Sequence, residues 1–290
     1  MTNAIALRAR RGMTLIELIV GITIFAIIGA AFTKLMTVQG KFFDRQGMAN
    51  AARNVSRSSL NRVVSDFRMI DAGGGVVAAT PTSLTIRIPF AIGVMCANAN
   101  GGTHLSLLPV DSTTYEQARV KFYGYAWRNF QTGAYNYVQG GGTSLNTGTA
   151  AVCTGVNITM VPNGRTVLVQ PPLPAGGGLG TPVFLYTQVR YEFKASLSVP
   201  GKLGLYRTPI SPNGAEDPEE IVAPFASTAG WKFFTVNGGA TASVNPPANL
   251  ADIRGLELHF DGTSEYIAPG QTSTENAPFQ TAVFFKNRSN

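Results

Sequence analysis

Glu17 is the residue of this chain whose surroundings most need a chemical explanation. It is the only charge in an apolar run of 21 residues, Met13 to Thr33, which Lys34 closes. As a helix at ~1.5 Å per residue the run spans ~31 Å, the thickness of a bilayer's hydrocarbon core. A lone carboxylate there costs roughly 2.5–3.5 kcal/mol on insertion scales, and such residues mark function. No cation lies within helical reach inside the run, so a partner for Glu17 must come from another chain. Ahead of the run, Arg8, Arg10 and Arg11 stand in an arm with no acid. Basic residues beside an apolar span favour the cytoplasmic side, which puts the N-terminus in and the rest of the chain out. The run exceeds the 7–15 apolar residues of a cleaved signal peptide, although Gly29-Ala30-Ala31 could mimic a signal cleavage site.

Other reactive side chains are few. Cys96 and Cys153 are the only cysteines. Outside the inner membrane a disulfide between them is allowed. It would close a loop of about 58 residues, worth up to ~4 kcal/mol on the chain-entropy model. Both lie in Gly/Asn/Thr-rich stretches that need a staple; the alternative is two buried thiols. The two histidines, His104 and His259, have no second His or Cys at ligand spacing, so no zinc site is expected. Glu216, Asp217, Glu219 and Glu220 offer oxygens to Ca²⁺, but not at EF-hand spacing, and a solvated acidic turn accounts for them. His259 shares a strand face with Glu257 and Asp261 by period 2. A solvated face explains that trio better than acid–base catalysis does. Arg190 and Arg207 are candidates for structural pairs with Glu219 or Glu220. There is no Gly-x-Ser-x-Gly and no phosphate-binding loop, so no enzyme activity, cofactor or metal is expected.

The elements that must position Glu17 follow from the chain around it. No proline occurs between Met1 and Thr80, which permits one long helix. Beyond the membrane run, Ala52, Val55, Leu60, Val63, Phe67 and Ile70 recur near a 3.6 period. Arg53, Arg57, Asn61, Arg62 and Arg68 take the other face. Asp71 and Gly73 to Gly75 end the helix. We therefore expect a helix from about Thr14 to Ile70, with its second half laid on a β domain. Gly21 and Gly29 would let neighbouring helices approach, if they do more than sit tolerated in the span.

The remainder reads as strands. They are Val76–Ala79, Ser83–Ile88, Gln117–Trp127, Thr166–Gln170, Thr187–Lys194, Gly204–Arg207, Gly255–Asp261 and Thr281–Lys286. Gln139 to Gly148 is expected as a polar loop and Pro171 to Gly180 as a linker. Phe122, Tyr123, Tyr125, Trp127, Phe130, Tyr135 and Tyr137 form a dense aromatic group, either core or a recognition patch. The expected class is α+β, one long helix on antiparallel sheets. Thirty-two Gly, 17 Pro and 13% charge in 290 residues fit a turn-rich β domain, and no second run approaches a membrane span.

The stretch Arg11-Gly12-Met13-Thr14-Leu15-Ile16-Glu17 resembles the processing site of type IV prepilins and of type II secretion pseudopilins. The resemblance implies that a prepilin peptidase in the inner membrane cuts between Gly12 and Met13 and methylates the new amine. Glu17 becomes the fifth mature residue, and in a filament it neutralises the Met13 ammonium of a neighbour, so that two charges costly in lipid pair. Gly12 lets an extended backbone approach closely in the protease cleft. Two departures stand out. Met13 replaces the commoner phenylalanine, and the proline frequent in the later part of pilin spans is missing. The implied organisation is leader 1–12, transmembrane and filament-core helix 13–35, amphipathic helix 36–71 and extracytoplasmic β domain 72–290.

The C-terminal order is similar to the large minor subunits, W-type minor pilins and J-type minor pseudopilins. It runs Gln188–Phe193, Gly204–Arg207, Asp217–Val222, Ile253–Phe260, then Val283–Arg288. The family's closing element ends near Arg-Asn, whereas here it reads Lys-Asn-Arg. Residues 90–180 resemble nothing in the family. The resemblance implies a pilin fold and a single-pass inner-membrane protein with a periplasmic domain. It also implies partners among other minor subunits and the major pilin, and a final place in a pilus, or in a pseudopilus in the J-type alternative. With long loops on a domain of some 220 residues, a place at the filament tip is expected, where no subunit stacks above. Net charge is +7 and falls to 7 − 3 = +4 without the leader's three Arg. With no basic cluster beyond the leader, nucleic acid is not an expected partner. The aromatic group and a pI of 9.6 are the only support for a DNA-binding pilin.

Overall fold

The structure, a computed structural model, describes residues 13–71, 73–131, 133–142, 153, 165–174 and 177–285. Helix α1 (Leu15–Arg68) runs unbroken for 54 residues. Thr14 caps its start, and at its end the Met69 N–H donates to the Asp66 carbonyl at 3.1 Å and the Ile70 N–H to the Phe67 carbonyl at 3.3 Å. Gly73 (φ 89°) and Gly74 (φ 138°) then turn the chain through backbone space that a side chain resists.

The strands follow in chain order. β1 (Val76–Ala79), β2 (Ser83–Ala99) and β3 (Gly102–Leu107) precede a short helix, α2 (Pro109–Ala118). Next come β4 (Gly124–Arg128), β5 (Tyr135–Gln139), β6 (Gly141–Gly142), β7 (Arg165–Gln170), β8 (Pro182–Ala195) and β9 (Leu203–Ser211). The chain continues through β10 (Gly214–Ala215), β11 (Glu219–Phe225), β12 (Gly230–Thr235), β13 (Ile253–His259), β14 (Gly262–Thr263), β15 (Asn276–Ala277) and β16 (Gln280–Phe284). Every pairing between these strands is antiparallel. The class is α+β: one long helix, then sheet.

The large sheet is built on the β2–β8 pair, in register from Ser83↔Glu192 to Val94↔Pro182. From there it extends through β9, β11, β14 and β15 on one side and through β3, β7 and β6 on the other, while β4 pairs with the first half of β8 and β5 with β4. A separate sheet has the order β12-β13-β16. The two ends of the β2–β8 pair serve different cores. At one end the second half of α1 joins both sheets in a core that includes Val63, Phe67, Ile86, Val189, Tyr191, Phe193, Trp231 and Phe260. Ile86 and Val189 stand opposite each other across β2 and β8. At the other end Met95, Leu105, Tyr115, Tyr125, Trp127, Val167 and Leu185 belong to a second core.

Several expectations are corrected here. The strand expected over Gln117–Trp127 begins only at Gly124, because Pro109 opens α2 and a 3₁₀ turn, Arg119–Lys121, follows it. The strand expected to stop at Ile88 continues to Ala99. It passes Pro89 through a register shift between Pro89 and Ala91, where a proline without an N–H is tolerated. Within the expected loop Gln139–Gly148, Gly141 and Gly142 pair with β7 as β6, and the loop's remaining residues from Thr143 lie outside the described residues. The closing Lys286 to Arg288 also lies outside them.

Candidate assembly and processing site

The site begins at the first turn of α1. Thr14 Oγ1 accepts from the Glu17 N–H at 3.3 Å, and the Glu17 carboxylate accepts from the Thr14 N–H at 2.9 Å and from its hydroxyl at 3.0 Å. This is a capping box, which satisfies donors the helix start would otherwise leave open. Reading Glu17 only as a charge in need of a cation missed it, although Thr14 three residues ahead of a glutamate is the sequence signal. Among the described residues no Lys or Arg pairs with Glu17. Gly12 and the basic residues Arg8, Arg10 and Arg11 lie outside the described residues; of the expected cleavage site, Met13 is described, and it is exposed.

From Met13 to Gly47 no residue is buried. Leu15 is 77% exposed and Phe25 79%. This is the one helix among the described residues long and apolar enough to cross a membrane. Its threonine hydroxyls are already satisfied. Thr23, Thr33 and Thr37 return them to the Ile19, Gly29 and Thr33 carbonyls at 3.0, 3.1 and 2.8 Å. A surface of this kind gains by meeting lipid or other apolar helices. A Cβ added at Gly21 or Gly29 would touch nothing in this chain, so both leave open notches.

The second half of α1 is held by the domain. Ala52, Ser56, Ser59, Val63 and Phe67 are buried. Phe67 meets the Tyr191 and Trp231 rings edge-on, at 5.4 and 5.5 Å between centroids. Ser56 Oγ accepts from the Gly262 N–H at 3.0 Å and donates to the Ala277 carbonyl at 3.1 Å. A Cβ at Gly262 would collide with the Ala52 carbonyl, so only glycine allows β14 so near the helix. Tyr191 donates to Asp66 at 2.5 Å, and Arg207 stands 3.8 Å from the same carboxylate. Burial, with Asp66 alongside, pushes the Tyr191 hydroxyl well above its usual range and keeps it a donor.

Other expected residues fall into structural places. Arg207 pairs with Asp66 rather than with Glu219 or Glu220. Glu220 instead accepts from Ser196, from the Leu197 N–H at 3.0 Å and from Tyr206 at 3.0 Å. Burial pushes its carboxyl up, but these hydrogen bonds outweigh that and hold it below the ordinary range. His259 meets Glu257, which Lys232 also approaches at 3.3 Å, while Asp261 turns away to accept from Thr228 at 2.7 Å. The three residues therefore form no relay. Among the described residues no cluster of three or more His, Cys, Asp or Glu could hold a metal ion. The structure joins Cys96 to Cys153 in a disulfide, with Cα atoms 4.9 Å apart, beside the second core. Phe122, Tyr125 and Trp127 are buried in that core, Tyr123, Tyr135 and Tyr137 are half-buried outside it, and Phe130 is exposed.

Residues 7–33 match the family model described as the prokaryotic N-terminal methylation motif. That motif marks type IV prepilins and pseudopilins, structural proteins that a prepilin peptidase processes and that assemble with other pilins. No curated protein and no solved structure matches the chain significantly.

Proposed function

We propose that this chain is a minor pilin of the W type, which primes or caps a type IV pilus from its tip. In this reading it enters the inner membrane through α1, with the domain on the periplasmic side. The peptidase cuts between Gly12 and Met13 and methylates the Met13 amine. Glu17 then leaves its bonds to Thr14 and takes the Met13 ammonium of a neighbouring minor or major pilin. The observation that carries the reading is the first half of α1, an apolar surface that its own domain leaves uncovered, with one carboxylate near its start. A J-type minor pseudopilin of type II secretion shares the processing and the strand order and is the alternative. A DNA-binding pilin has weaker support, since the dense aromatics are divided between a buried core and a half-buried sheet face.

The test is Glu17→Ala in the natural host. Membrane insertion and cleavage should persist, because the span and Gly12 are unchanged, while filament priming should be lost. Normal priming by the variant would overturn the charge-pair reading. A defect in protein secretion without a defect in pili would favour the J-type alternative.

A further inference from the structure

Between the end of α1 and the large sheet lies a cavity of about 330 Å³. Met69 and Ile70 line it from the chain just past the helix, and Tyr135, Tyr137, Phe184 and Tyr186 line it from β5 and β8. The volume falls at the lower end of the range for small-molecule sites, which are concave and mostly apolar with a few polar groups. The rings form a continuous wall. Tyr135 lies 5.9 Å from Phe184 and 6.4 Å from Tyr137, and Tyr137 lies 5.7 Å from Tyr186. Tyr135, Tyr137 and Phe184 are only half-buried, whereas Leu185 and Tyr125, next to them in the sheet, are sealed in the second core.

Charge narrows the ligand class. Arg68 and Arg87 line the cavity along with Asp71 and Asp111, so the formal charges balance. The Arg87 guanidinium lies 4.4 Å from the Tyr137 ring centroid and donates to the Gly74 carbonyl at 2.6 Å, so this ring already has a cation. Asp111 accepts from the Ile92 N–H at 2.9 Å. Burial raises the Tyr186 hydroxyl to about 12 and lifts Tyr137 further, so both stay neutral donors. A sugar would leave most of its hydroxyls unpaired against such a wall. An aromatic ring meets the wall rings edge-on or offset at their preferred spacing. We propose that this cavity binds a small neutral aromatic molecule, an activity separate from filament assembly.

The test uses the full chain in detergent micelles with 5-azidoindole as a photoreactive probe, and peptide mass spectrometry to map the label. Label is expected on peptides holding Met69, Tyr135 or Tyr137, suppressed by excess indole and unaffected by methyl glucoside. Ile92→Trp, which fills the cavity from β2, should abolish that label, while Phe130→Ala, at an exposed residue that does not line the cavity, should leave it intact. If Ile92→Trp does not fold, Tyr135→Ala on β5 serves instead and should weaken indole competition about 5-fold. Label confined to Met13–Val38, label that indole does not suppress, equal competition by methyl glucoside, full labelling of a folded Ile92→Trp, or indole competition unchanged in a folded Tyr135→Ala would each overturn the proposal.

Discussion

The two halves of α1 share one backbone and one unbroken hydrogen-bond ladder, yet they face opposite demands. Phe25 is 79% exposed and Phe67 is fully buried. The second half has its partners within the chain: aromatic rings, the Ser56 bonds to β14 and β15, and the Asp66–Tyr191–Arg207 cluster. The first half has none, and its hydroxyls and Glu17 are satisfied within the helix itself. Helix formation and helix burial are therefore separate problems here. The fold solves both for the second half and only the first for the N-terminal half, which leaves lipid or other subunits to complete it.

Paired substitutions sharpen this difference. Phe67→Ala should lower the stability of the domain by about 3–5 kcal/mol, as for other buried aromatics cut to alanine. Phe25→Ala should change it by less than ~0.5 kcal/mol. Thermal melting of the full chain in detergent checks both, and a large effect of Phe25→Ala would break the comparison. Ser56→Ala should cost about 1–3 kcal/mol, because the Gly262 N–H and the Ala277 carbonyl lose their partner in a buried place. Thr33→Ala should have almost no effect on the same melt, since the Thr33 hydroxyl serves only its own helix.

Of the changes expected to be visible, the one with pH is the smallest. Glu220 is held below its ordinary value, so its contribution to stability is full above the unfolded carboxylate value and is lost as pH falls through the lower folded one. The melting temperature should drop over that acidic window, and Glu220→Gln should flatten part of the drop. An unchanged profile in Glu220→Gln would show that the Ser196, Leu197 and Tyr206 bonds do not depend on the charge.

The long helix was legible because its signals are local: no proline, apolar residues at helical spacing, and glycines at its end. Ser56 and Ser59 were not read as buried. The Ser56 partners lie more than 200 positions away in β14 and β15. The hairpin joining β2 and β3 carried a local signal that went unread. Asn100 and Gly101 both have positive φ, the arrangement an Asn-Gly turn favours. Pro109 likewise announced α2, being well suited to a first helical turn. Of the second core only Phe122, Tyr125 and Trp127 stood out in the sequence, within the aromatic group that read as core or recognition patch. The core's members come from β2, β3, β4, β7, β8 and α2, and only the sheet's register brings them together. At the N-terminus the charge on Glu17 is plain in the sequence and draws attention to a cation, whereas its partner within the chain is the neutral Thr14 three residues ahead.

Quantitative mass spectrometry of sheared filaments tests the central claim most directly. The account predicts a mature chain that begins with N-methylated Met13, present at a small fraction of a per cent of the major subunit. A copy number comparable to the major subunit, or an uncleaved N-terminus in the filament, would contradict it.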